Sequence, residues 1–188
     1  MRAVLERYRV FWWLRRRATR LVMLILVVAV LFSAPVSERY GDRLQIALPV
    51  AGLVCTVLTG GAGEYLIRFA VLEVLLHGSK QGLGAAAINR RPDGGLEGFP
   101  SGHTAAAAFG ASVLVHDCIR ASAPARAVVL IAAGFTGASR IAAGKHTIWQ
   151  VLGGVLLGWG TERLFRRRPR RFLRWIKDMR RGDGQSGA

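Results

Sequence analysis

The chain has 188 residues, 52% of them apolar, a mean hydropathy of +0.30 and a formal charge of +16. That much apolar content excludes a disordered chain. The distribution of charge excludes a nucleic-acid binder, which needs a basic face on its folded body: residues 1–20 hold seven Arg and one Glu, residues 163–188 hold ten Lys/Arg and two Asp, and the block between them is nearly neutral.

In chain order, the first apolar run lies at 21–32, with flanks from 18 to 36, and ends at Pro35. Phe32-Ser33-Ala34 offers a cleavage-like site. A 20-residue basic lead containing Trp12 and Trp13 is long for a signal peptide, so the run is read as a retained span. Further runs follow at about 44–61, 64–77, 101–119, 125–143 and 147–165, separated by Pro and Gly. A spanning helix takes about 20 mainly apolar residues. The expectation is therefore an all-α, polytopic membrane protein: a six-transmembrane-helix bundle over 21–165, with basic cytoplasmic segments at 1–20 and 166–188.

The third run departs from this pattern because it carries Glu64, Arg68, Glu73 and His77, groups that at membrane depth face a bundle interior or a watery cavity. An interfacial helix is its alternative reading. Glu73, His77 and Lys80 share one face if that helix continues, and the first two are candidates for an outer layer around a site. His116 and Asp117 read as solvated neighbours of the headgroups. Cys55 and Cys118, in different runs and without C-x-x-C spacing, read as packing residues and not as a disulfide or metal pair. The alanines at 105–108, with Gly110, Gly154 and Gly158, read as seams for close helix packing.

Six spans put both termini and their excess of Lys/Arg on one side, which the positive-inside rule makes cytoplasmic. The smaller basic set, Arg39, Arg43, Lys80, Arg90, Arg91, Arg140 and Lys145, then lies outside, mostly in the loops before the fourth run and after the fifth. Those loops emerge on the same face. Ser101 stands where it would cap a helix, and Gly102 admits a ligand to the backbone, so free N–H groups would face an anion. Arg91 and Arg140 suit phosphate oxygens and Lys80 adds a point charge. His103 and His146 supply a nucleophile and a proton donor. No dense cluster of carboxylates or Cys/His is present to hold a metal, so no cofactor is expected.

Arg91-Pro92, then Pro100-Ser101-Gly102-His103, then Ser139-Arg140 followed by His146 resemble, in order and spacing, the three signature motifs of the type 2 phosphatidic acid phosphatase superfamily. The resemblance covers residues 80–158. It implies metal-independent hydrolysis through a phosphohistidine on His146, with His103 as acid and Lys80, Arg91, Ser101, Gly102 and Arg140 as phosphate ligands.

Two departures from the motifs matter. Ten residues separate Lys80 from Arg91, where the motif usually has six. Gln150 stands where Asp usually follows the nucleophilic histidine; it can fix the tautomer of His146 without supplying charge. This ending is similar to that of the dolichyl-diphosphatase branch, which implies a polyprenyl diphosphate substrate. Lipid A 1-phosphate, phosphatidylglycerophosphate and phosphatidate are alternatives, and a non-catalytic phospholipid-binding membrane protein is the alternative of another class. The expected setting is a bacterial inner membrane with the site facing the periplasm, and the partners are the bilayer and its lipid phosphate.

Overall fold

The computed structural model describes residues 37–164. The first run and the two basic terminal segments fall outside them. Among the described residues there are five α-helices and no strand: α1 (Ser37–Thr59), α2 (Ala62–Leu83), α3 (Gly102–Val113), α4 (Ala123–Ala142) and α5 (Ile148–Leu164). A π-helical turn, Leu114–Cys118, continues α3, and a 3-10 turn, Ala87–Asn89, lies between α2 and α3.

Two boundaries differ from the apolar pattern in ways that shape the site. α1 is already helical over the seven described residues ahead of its apolar run, where Glu38 and Asp42 find ion-pair partners on other helices. α2 continues six residues past its run, carrying Lys80, and stops where Gly84 takes φ +46, a conformation that costs other residues energy. α4 starts conventionally, with Ser122 Oγ accepting from Ala125 N–H at 3.3 Å and Pro124 in the first turn.

α3 is the central helix, and Ala105, Ala107, Phe109 and Ala111 on it are buried. Its small residues let its neighbours approach backbone to backbone. A methyl on Gly110 would collide with the Leu48–Pro49 peptide of α1, and one on Gly158 would meet the Ala105 carbonyl and lie 2.9 Å from Phe109 N. The outer surface is apolar: Val74, Ile131, Trp149 and Leu156 are each about two-thirds exposed. Helices α1, over Glu38–Thr59, and α4 are each long and apolar enough to cross a membrane, with mean hydropathy 1.3. Of the six expected spans, the first lies outside the described residues and the other five correspond to α1–α5, two of which meet that measure.

Successive helices alternate in direction, so the polar groups gather at the two ends of the bundle. At one end Arg68 of α2, buried, pairs with Glu64 at 2.6 Å and with the fully buried Glu162 of α5 at 3.5 Å. Ser112 of α3 donates to the other Glu162 oxygen at 2.6 Å. His116, read as a solvated neighbour of headgroups, is half-buried, with Nδ1 on the Ser112 carbonyl at 2.7 Å and Nε2 on the Arg163 guanidinium.

Near this end Cys55 and Cys118 form a disulfide, Cα atoms 6.3 Å apart, correcting their reading as packing residues. The reason is tertiary. The close approach of α1 and α3 at Gly110 sets the two thiols face to face, whereas a sequence separation of 63 carries no pairing signal.

Candidate active site

The other end of the bundle collects the C-terminus of α2, the loop at 84–101, and the ends of α1, α3, α4 and α5. Arg91 opens a tight turn, its N–H donating to Gly95 O at 2.7 Å and its carbonyl accepting from Gly94 N–H at 3.0 Å. Asp93 in that turn accepts from Gly95 N–H and pairs with Lys145 at 3.3 Å, tying the two motif loops together. Chiefly through that backbone N–H, and then through Lys145 and Arg91, the Asp93 carboxyl is held below the usual carboxylate range.

The ten-residue gap between Lys80 and Arg91 is absorbed by the 3-10 turn and by Asn89, which is fully buried. The Asn89 amide donates to Lys80 O at 3.0 Å and Gly84 O at 2.7 Å, while its oxygen accepts from Phe99 N–H at 3.0 Å. The ammonium of Lys80 lies 3.8 Å from where a methyl on Gly102 would sit, so Lys80 reaches the start of α3 despite the longer spacing. Sequence reasoning missed Asn89. An Asn just before the Arg-Arg-Pro stretch was the available signal.

Ser101 occupies the position before α3 in extended conformation, but its side chain caps nothing; it accepts from Thr104 Oγ1 at 3.0 Å instead. The first N–H groups of α3 therefore have neither an intrahelical partner nor a side-chain cap, which favours an anion there. Arg140, at the end of α4, is buried, and its Nε has no hydrogen-bond partner; Arg91 Nε is likewise unpaired. Two guanidinium groups with an Nε–H left over, beside the bonds from Arg91 to the Glu97 carbonyl and from Arg140 to Asp42, suit phosphate oxygens.

His146 is buried in the loop after α4, and its backbone N–H reaches Arg140 O at 3.3 Å. Burial pushes its pKa down to about 4, with Arg91, Arg140 and His103 adding to the shift and the Gln150 hydrogen bond opposing it. Gln150 is fully buried and its amide orientation is fixed by backbone groups. Nε2 donates to the carbonyls of Ile88 at 2.9 Å and Arg90 at 2.8 Å, and Oε1 accepts from Thr147 N–H at 3.1 Å. His146 Nδ1 lies 3.1 Å from that same oxygen, so Nδ1 carries the proton and Nε2 keeps its lone pair.

Thr147 and Gln150 also form a reciprocal cap on α5, with Thr147 Oγ1 accepting from Gln150 N–H at 3.3 Å. The Thr-x-x-Gln pattern could have revealed it from sequence.

Two further residues were missed. Asp42 of α1 stands 3.0 Å from His103 Nε2 and 2.8 Å from Arg140, and Glu38, one turn earlier, is 3.5 Å from the same guanidinium nitrogen. By contrast, His77 is exposed and bonds back to the Glu73 carbonyl, so this pair stays on the outer face of α2. No group of three or more His, Cys, Asp or Glu positioned for a metal occurs among the described residues.

Residues 73–174 match the PAP2 superfamily, more than half of the chain. The chain belongs to that superfamily. It is also similar to the lipid A 4'-phosphatase of Helicobacter pylori (strain J99), 32% identical over 153 residues that cover 75% of this chain and 76% of the relative. No solved structure matches it. As a PAP2 protein with such a relative, the chain is a lipid phosphatase, a phosphoric monoester hydrolase.

Proposed function

We propose that this phosphatase removes a phosphate from a membrane lipid through a phosphohistidine on His146. The observation that carries the reading is the Gln150 amide, whose fixed polarity leaves Nε2 of a neutral, buried His146 unprotonated beside Arg91, Arg140 and His103. In the first step the Nε2 lone pair forms a bond to phosphorus as the bond from phosphorus to the lipid oxygen breaks, and His103 gives that oxygen a proton. In the second, water attacks phosphorus while His103 takes its proton, and the P–N electron pair returns to Nε2. Lys80, Arg91, Arg140, the Ser101 hydroxyl and the free N–H groups of α3 from Gly102 onward hold the phosphoryl oxygens, carrying the negative charge without a metal.

The apolar outer surface and the inward-facing Arg68 and Glu162 support a bundle immersed in a bilayer. The basic ends favour cytoplasmic termini, and the site then opens to the periplasm at headgroup depth. The similarity to a lipid A 4'-phosphatase favours a phosphomonoester lipid of that kind as substrate. Gln150 favours the second reading, a polyprenyl diphosphate, whose better leaving group needs less help from the histidine.

The test is phosphate release by purified protein in detergent with EDTA, from phosphatidate, lipid A and a polyprenyl diphosphate separately. Release from at least one, abolished by His146→Ala, is expected. No release above that control from any of them refutes the catalytic reading.

A further inference from the structure

Asp42 and Glu38 lie one helical turn apart on α1, outside the matched residues 73–174, so the superfamily motifs give them no role. Their placement is specific. Asp42 Oδ1 is within hydrogen-bonding distance of both His103 Nε2 and Arg140, and Glu38 leans on the same Arg140 nitrogen from further out. Both carboxylates are about two-fifths exposed or more, so they stay accessible to a ligand beside His103 and Arg140.

On the phosphatase reading above, from which this inference starts, the acid must come within about 2.6–3.2 Å of the oxygen it protonates. With Nε2 as the donating nitrogen, the leaving oxygen approaches the His103 edge that Asp42 already faces, and the atoms attached to it lie beside the start of α1. A carboxylate accepts hydrogen bonds and donates none, so it suits hydroxyls and disfavours anions. The leaving group of a phosphomonoester is an uncharged alcohol, and in a sugar phosphate its neighbours are hydroxyls that can donate. The leaving group of a diphosphate is itself a phosphate anion.

We propose that Asp42 and Glu38 are specificity residues that line the leaving-group side of the site, selecting phosphomonoesters, whose leaving group is an uncharged alcohol, against lipid diphosphates. Arg140 tempers their charge only while its guanidinium is not shared with the phosphoryl group. Once shared, the repulsion of an anionic leaving group by a carboxylate about 6–12 Å away is worth roughly ten- to hundredfold in rate at a surface-like effective dielectric.

The experiment compares kcat/KM for a short-chain phosphatidate with that for farnesyl diphosphate, in one detergent, for wild type, Asp42→Asn and Glu38→Gln. The ratio cancels any loss of folded protein. The expected result is a wild-type preference for phosphatidate that Asp42→Asn shifts at least tenfold towards the diphosphate, with Glu38→Gln moving it about threefold in the same direction. A ratio unchanged in both variants, with both substrates turned over, overturns this inference and leaves the phosphatase reading standing. A wild type as inactive as His146→Ala on both substrates overturns the two together.

Discussion

The substitution Gln150→Glu changes one atom in shape and separates the two functions of this side chain. The variant keeps an oxygen towards His146 Nδ1 and Thr147 N–H but loses the donors to Ile88 O and Arg90 O, which lie 2.9 and 2.8 Å from the position a carboxylate oxygen would take. A buried acceptor left unpaired costs about 1–3 kcal/mol, and these bonds are part-buried, so the two together cost roughly 2–3 kcal/mol, about one and a half to two decades in equilibrium. Those carbonyls belong to the loop that carries Arg91, so the loss should appear in phosphate binding. KM for a lipid phosphate should rise about 30- to 100-fold, with a smaller change in kcat. A buried carboxyl favours its protonated form, which restores one donor, so the defect should shrink as pH falls from about 8 to about 6. Steady-state kinetics across that range, with thermal unfolding in the same detergent, is the assay. KM and Tm indistinguishable from wild type would show that the amide does not hold the loop.

Other outcomes follow from the geometry. Because burial depresses the His146 pKa, its imidazole should stay neutral, and competent as a nucleophile, from neutral pH down to about 4; a 15N titration with its midpoint near the ordinary 6.5 would refute this. Cys118→Ser opens a cross-link spanning 63 residues, a loop whose closure is worth roughly 4 kcal/mol, so Tm should fall by several degrees, and an unchanged Tm would deny the disulfide a structural role. Gly158→Val should destabilise the fold by about 1–3 kcal/mol or more through overpacking against α3, and so lower Tm. Gly160→Ala, where nothing lies within 4 Å of the added methyl, should leave it unchanged or raised; equal effects would refute the close α3–α5 contact.

The residues that sequence motifs singled out lie together because their order along the chain matches the order of helix ends. Lys80, Ser101, Arg140 and Gln150 each sit at a helix end, and alternating helices deliver those ends to one place. Residues that depend on which helix lies beside which were not legible. Asp42 and Glu38 stand in a polar stretch ahead of an apolar run, where hydropathy marks a loop, and only the proximity of α4 reveals that they are helical and paired. Cys55 and Cys118 were opaque for the same reason. Asn89 shows why motif spacing misleads: the distance from Lys80 to Arg91 is set by the backbone path, and a turn tied down by its amide lets the extra residues leave it intact.

The buried pair at the far end of the bundle bears on how the protein is assembled. In a bilayer, as proposed, α2 carries Arg68 and α5 the Glu162 that helps to neutralise it; a charge opposes insertion of a lone helix by about 2.5–3.5 kcal/mol at its centre and by less towards its end, where Arg68 lies. Translation at about 5–20 residues per second brings α5 out of the ribosome roughly 5–20 s after α2. During that interval α2 has only Glu64, its own neighbour one turn back, to offset the guanidinium. Insertion of α2 should then be completed after the rest of the bundle, when the last helix arrives to receive it. A chain truncated before α5 would leave α2 at the membrane surface.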